Sequence, residues 1–386
     1  MKPSRCGLAS VAFVATMVFA ATVAVAQPAG VAEPAGCQSL ASEQRTAPHA
    51  FEFGDMERLW GVIDQAKSGA DPAPEQWRSL ASGPGYASLI KEEIPQDVLF
   101  ESIRVAFLPS RRAQKLQWQD QDKPALRLVD HFIELDGKRR AVSLFMAQLN
   151  REQAALSQRA MALACGYFAQ SAAAHKRRYI VAFAAFQKDA RGYSDSIVMD
   201  PLFALEAGDN LVYWLAHETH HYLRHASAVT TTSAAKSAAA QSLTWVLQQL
   251  QSEGIADQID KPHTFFGSGY MAQSKFAEFF RAEAAIAPER IVQLDALMRE
   301  LADCERDCDG IGERIRGAAK LAGHPLGYYM AGVIERTLGR TALLDGIGNP
   351  VRFLMAYNRA AIKDARQLPV FSDRSLAYAS RLFAQP

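Results

Sequence analysis

The segment LVYWLAHETHHYLRH, from Leu211 to His225, leaves little choice of secondary structure. Projected at about 100° per residue, Leu211, Val212, Leu215, Ala216, Thr219, Tyr222 and Leu223 fall on one stripe, the pattern of a helix docked on a core. A strand would scatter the same side chains over two faces. On the helix His217 and His221 lie about 40° apart, with Glu218 beside them toward the stripe, and His220 lies about 60° from His217 on the far side. The spacing is H-E-x-x-H, His217-Glu218-Thr219-His220-His221. Two imidazoles at i and i+4 can hold one metal ion, while the carboxylate next to the first cannot join them but can accept a proton from water. His221 and His225 repeat the four-residue step without a glutamate in the first slot, so His220 and His225 are expected to be packing or surface residues.

A pair of histidines needs a third ligand, and the next helical segment offers one. Leu243, Val246, Leu247 and Leu250 mark an apolar face that continues to Glu253 and Asp257. Carboxylates in line with a buried face are costly unless paired or bound to a metal. Glu253 is the expected third ligand of a Zn²⁺ ion, and Asp257, one turn on, is the expected acceptor for the free N–H of a ligating histidine. Three protein ligands leave one position for a water activated by the metal, with Glu218 as general base. The competing reading makes Glu253 and Asp257 the polar end of a helix that stops near Gly254.

Three stretches carry a resemblance: HETHH, SEGIADQIDK around Glu253-Gly254-Ile255-Ala256-Asp257, and GHPLGYYMAGVIE from Gly323. H-E-x-x-H followed by E-x-x-x-D resembles the gluzincin class of zinc peptidases. The three stretches together, with QWRSLASGPGYASLIKEE near the start, are similar to a bacterial family of zinc-dependent peptidases over roughly Met56 to Arg340. The resemblance implies a zincin-like fold, with a small β-sheet above the active-site helix and a helical C-terminal lobe. It further implies that Ser194 to Asp200 forms the sheet edge along which an extended substrate lies. His324 and Tyr328, four apart in the third stretch, are candidate donors to the oxyanion; a helix start with aromatic core packing accounts for them equally well.

The rest of the chain reads as α+β and mainly helical. A helix is expected from Met56 to a stop at Gly69, others through Glu152 to Ala173, and nearly all helix after Leu243 with breaks around Pro262, Pro325, Pro350 and Pro369. Strands are few: Tyr179 to Phe186 and Ser194 to Asp200. Asp209 and Asn210 are expected to cap the histidine helix. The divisions are residues 1–26 as an export signal, 27–55 as a linker, 56–228 as an N-terminal helical region with the sheet and the H-E-x-x-H helix, and 229–386 as a helical lobe with the third ligand. Lys2, Arg5, the apolar run Leu8 to Ala26 and its Ala24-Val25-Ala26 end support the signal, so a periplasmic or secreted protein is expected; an uncleaved anchor or acylation at Cys37 are the lesser options.

With Cys6 removed, Cys37, Cys165, Cys304 and Cys308 allow three pairings, and a 304–308 bridge would be awkward inside a regular helix. A formal net charge of +1 gives no reason to expect nucleic acid as the partner. The expected partner is a peptide or protein substrate. The alternatives are an inactive zincin scaffold that binds peptides, a hydrolase of non-peptide substrates, and a purely structural zinc site. Glu218 argues against the first, and the absence of cysteine from both ligand helices argues against the last.

Overall fold

A computed structural model describes residues 49–121, 123–168, 179–226, 237–269, 271–305 and 308–384, without the side chains of 225, 226 and 309. The segment expected to be an export signal, Cys37 and most of the expected linker lie outside these residues. The last residues assigned to the linker do not: His49–Glu52 forms the first strand, β1. Eight helices with short connections follow in the first half. They are α1 (Gly54–Lys67), α2 (Pro74–Ala81), α3 (Pro84–Glu92), α4 (Gln96–Phe107), α5 (Arg112–Asp120), α6 (Leu126–Gly137), α7 (Arg139–Cys165) and, after strands β2 (Tyr179–Phe183), β3 (Ala190–Gly192) and β4 (Ser196–Met199), α8 (Pro201–Ala207). Helix α9 (Leu211–Ala226) carries the histidines and α10 (Ala238–Thr264) the carboxylates. The remainder is α11 (Lys275–Ala285), α12 (Ala287–Asp303), α13 (Asp309–Ala318), α14 (His324–Leu338), α15 (Arg340–Leu344), α16 (Pro350–Lys363) and α17 (Asp373–Phe383). The class is α+β and mainly helical. Among the described residues no helix is long and apolar enough to cross a membrane.

The four strands form one mixed sheet in the order β1-β2-β4-β3. β1 and β4 run parallel to β2, with His49 opposite Tyr179 and Ile180 opposite Ser196. β3 returns antiparallel to β4, Ala190 opposite Met199 and Gly192 opposite Ile197. This corrects one expectation: Ser194 to Asp200 is not the sheet edge, because β3 pairs on its outer side. A central strand buried on both faces reads as the continuous run SIVM, whereas ARG, three residues with a glycine, carries too little pattern to mark an edge strand.

Two large apolar cores and two small clusters result among the described residues. One core lies between the sheet and α1–α4 and α6–α9, with Leu59, Tyr86, Phe132, Phe183 and Leu202 fully buried. The other fills the space between α10, α12–α14, α16 and α17 around Leu243, Leu294, Met298, Val333 and Phe353. Helix α9 buries the stripe expected of it, Leu211, Val212, Leu215, Ala216, Thr219, Tyr222 and Leu223. Burial of its leucines and valine stabilises the docking by about 1.5–3 kcal/mol apiece.

A polar chain pins the same helix to the sheet. The His49 main-chain N–H and the Ser157 hydroxyl meet at 2.9 Å, Ser157 Oγ donates to His49 Nδ1 at 2.6 Å, and His49 Nε2 donates to Thr219 Oγ1 at 3.0 Å. Thr219 Oγ1 in turn donates to the Leu215 carbonyl at 2.6 Å. Burial pushes His49 down to about 3, so the ring is neutral and the tautomer follows from its partners.

Elsewhere the proline breaks fall near the ends of helices. Pro325 and Pro350 open α14 and α16, and Pro262 lies inside the last turn of α10, which runs on to Thr264. Asp209 and Asn210 belong to a short 3₁₀ turn, Gly208–Asn210, that leads straight into α9. Cys304 and Cys308 are disulfide-bonded with Cα atoms 6.0 Å apart. The bridge is free of the helical constraint because α12 ends at Asp303 and α13 begins only at Asp309.

Candidate metal centre

Helix α10 is what brings the carboxylates to the histidines. Ser237 caps it, accepting the Ala240 N–H, and it continues unbroken through Gly254, so Glu253 and Asp257 sit inside the helix rather than at its end. A glycine inside a helix costs about 0.5–1 kcal/mol relative to alanine. Here it permits contact between backbones: a Cβ on Gly254 would lie 2.8 Å from Gly327 Cα, and one on Gly327 would lie 3.0 Å from Gly254 Cα. α14 therefore rests directly on α10 with no side chain between them, and its first residue, His324, faces Glu253.

Three donor atoms converge where α9 and α10 meet. His221 Nε2 is 3.0 Å from His217 Nε2 and 3.0 Å from Glu253 Oε2, and His217 Nε2 is 3.5 Å from Glu253 Oε2. Atoms bonded at about 2.0–2.1 Å to one tetrahedral centre lie about 3.3–3.4 Å apart, so the set has the dimensions of a zinc site. Their ring orientations agree. The Nδ1 of His217 is held by Asp260 Oδ1 at 3.0 Å, and that of His221 faces Ser252 Oγ at 3.3 Å, which leaves both Nε2 atoms turned inward. Although burial alone would raise the Glu253 carboxyl, His221, His324 and His217 hold it well below its ordinary range. Burial likewise opposes a charge on His217, but Asp260 and Glu253 raise it well above the usual value.

The acceptor for His217 is Asp260, not the expected Asp257, whose Oδ1 is 3.6 Å from His217 Nδ1. Asp257 instead holds His324, whose Nδ1 lies 3.0 and 3.1 Å from its two oxygens; His324 Nε2 then comes within 3.5 Å of Glu253 Oε2. Lys261, buried at 3 % exposure, bridges Asp260 at 2.7 Å and Asp257 at 3.1 Å. Its ammonium also lies over the Trp214 ring at 4.4 Å. Asp260 and Lys261 were legible as positions i+7 and i+8 from Glu253, on the same helical face.

Glu218 is buried on the cleft side of α9, beneath strand β3. A Cβ on Gly192 would come within 2.9 Å of the Glu218 carbonyl, 3.0 Å of its carboxylate and 3.1 Å of His221 Cβ. The edge strand thus crosses directly over the histidine helix because residue 192 has no side chain. A cleft of about 1010 Å³ opens here, lined by His217, Glu218, His221, Glu253 and His324 among others.

Tyr328 is not on that lining. Its ring stacks on Phe266 at 5.2 Å and meets Phe280 edge-on at 5.7 Å, and burial, with Asp257 and Asp260 nearby, pushes its hydroxyl up to about 12. His220 is fully buried, its Nε2 donating to the Tyr167 carbonyl at 3.1 Å and its ring edge-on to Phe168, so it packs rather than faces the cleft. The side chain of His225 lies outside the described residues.

An α+β protein with paired imidazoles and a carboxylate set for one small cation is the class that fold and site define. The chain belongs to the family described as "Putative zinc dependent peptidase (DUF5700)", whose model matches residues 77–366. No curated protein and no solved structure matches it significantly.

Proposed function

We propose that the protein is an exported zinc-dependent peptidase of zincin type that hydrolyses peptide bonds. The observation that carries the reading is the spacing of His217 Nε2, His221 Nε2 and Glu253 Oε2, 3.0, 3.0 and 3.5 Å, on two helices that also place Glu218 beside them in the cleft. A bound zinc ion supplies a Lewis acid that acidifies water and polarises a carbonyl.

The chain's own residues do the rest. Glu218 takes the proton of the attacking water and delivers it to the leaving amine. His324 is the donor assigned to the developing oxyanion. Burial works against its charge, but Asp257, 3.0 Å from its Nδ1, raises its pKa and takes up the Nδ1–H, which favours the doubly protonated ring with an Nε2–H to give. Tyr328 has no part in this scheme. β3, rather than the segment after it, offers the free edge for main-chain pairing with an extended substrate. The apolar leader ending in Ala24-Val25-Ala26 supports export.

Incubation of the zinc-loaded mature chain with a peptide library, read by mass spectrometry, tests the reading. Cleavage by the wild type that disappears in Glu218→Gln with zinc content unchanged is the expected result. Equal cleavage by Glu218→Gln would remove the general base from the scheme, and no cleavage by the wild type would contradict the peptidase assignment.

A further inference from the structure

Among the described residues, one basic side chain of the cleft makes no ion pair. Among the described residues that line it, Lys188 pairs with Glu134 and Glu206, Arg191 with Glu93 and Asp189, and Lys261 with Asp257 and Asp260. Arg224 pairs with none of them. It stands half-buried one turn beyond His221, and its Nη2 donates to the neutral Oε1 of Gln251 at 2.7 Å. Its Nη1 and the Nε2 of the fully buried Gln251 have no acceptor among the described residues. Buried polar groups are nearly always satisfied, and two adjacent nitrogens with two hydrogens each are a conspicuous exception.

The electrostatics sharpen the point. Arginine cannot discharge itself by losing a proton. The nearby anion is Glu253, but the charge of a carboxylate that holds a zinc ion is already spent on the metal. With zinc held by Glu253 and two neutral imidazoles, the centre would carry a net single positive charge, and Arg224 would be a shielded cation beside it that an arriving anion would relieve. A carboxylate suits the donors, since its two oxygens match the guanidinium edge and can share the amide N–H.

Resting on the peptidase reading, we propose that Arg224 and Gln251 form a subsite for a substrate carboxylate close to the scissile bond, either the free C-terminus or an acidic side chain. Arg224 is about 4.5 Å past His221 along the helix axis. An extended peptide advances about 3.3 Å per residue, which puts the anion one or two residues from the bond cut. The opposite end of the cleft, at Trp214, Phe265, Phe276 and Phe280, is aromatic and favours an apolar residue there.

Calorimetric titration of the zinc-loaded Glu218→Gln chain with three N-acetylated tripeptides tests this without turnover. The first, of phenylalanine, alanine and leucine, has a free carboxylate; the second is its C-terminal amide; the third is the amide with glutamate in place of leucine. A peptide whose carboxylate reaches the subsite should bind at least about tenfold tighter than the leucine amide, as expected for charge-assisted hydrogen bonds. The free acid alone should gain if the subsite reads termini, and the glutamate amide alone if it reads side chains. Introducing Gln251→Glu supplies the missing anion from within and should erase the preference in a folded chain; Arg224→Gln should do the same. Equal binding of all three peptides, or binding of none, overturns the subsite. Library cleavage by the wild type, scored separately, shows whether the peptidase reading survives that result.

Discussion

Asp260→Asn isolates the contact that orients His217. In the wild type Asp260 serves two donors at once, His217 Nδ1 at 3.0 Å through one oxygen and Lys261 Nζ at 2.7 Å through the other. Asparagine has one oxygen. If it faces His217, the amide NH₂ is turned on the ammonium; if it faces Lys261, the NH₂ is turned on the imidazole N–H. A hydrogen bond to a charged group is worth about 1.5–3 kcal/mol, or roughly 10- to 150-fold in an equilibrium constant. Loss of the outer partner of a ligating histidine typically weakens metal affinity about 10- to 100-fold. Competition with a chromophoric chelator should therefore show the zinc Kd of Asp260→Asn raised by about one to two orders of magnitude, with the fold intact by circular dichroism. Asp257→Asn should change that Kd less, since 3.6 Å to His217 is too long for a hydrogen bond, and should lower kcat through a misoriented His324. A larger loss of zinc affinity in Asp257→Asn than in Asp260→Asn would refute the assignment.

Three further outcomes follow from the geometry. His49 is neutral in the fold with its pKa pushed down to about 3 by burial, whereas the unfolded chain binds a proton near 6.5. Its contribution is thus complete above pH 6.5 and is lost as pH falls toward 3, so urea unfolding of His49→Gln should show a shallower acid limb than wild type, by up to about 1.4 kcal/mol per pH unit. Gly192→Val places methyl groups where the Glu218 carboxylate and His221 already stand, and peptidase assays should find kcat lowered by about two orders of magnitude or more, the share of a general base, with zinc content near one per chain. Gly254→Ala forces α10 and α14 apart, and chemical denaturation should register a loss of about 1–3 kcal/mol, the usual cost of overpacking.

The histidine helix was legible because its periodicity and its chemistry coincide in fifteen consecutive residues: the stripe that docks α9 also decides which two histidines share a face. Glu253 was legible for the same reason, as the continuation of an apolar face. What escaped depended on contacts between segments distant in sequence. That Asp257 serves His324 and Asp260 serves His217 depends on α14 lying flat against α10 at Gly254 and Gly327, and nothing local to either glycine states which helix it meets. β1 escaped because HAFE is four residues at the end of a small-residue stretch, with its partner strand 130 residues on. β3 is shorter still, and its place at the sheet edge could not be read without the register of β4. His220 was separated from the ligands by angle alone, and its burial against Tyr167 and Phe168 agrees with that separation.

Zinc stoichiometry of the purified mature chain, set beside Glu253→Ala and His220→Ala, tests the centre most directly. Wild type and His220→Ala should each hold about one zinc while Glu253→Ala loses it, since removing one of three ligands removes much of the binding free energy. A wild-type chain that holds no zinc under conditions that load other zinc peptidases, or a Glu253→Ala chain that binds as tightly as wild type, would contradict the account.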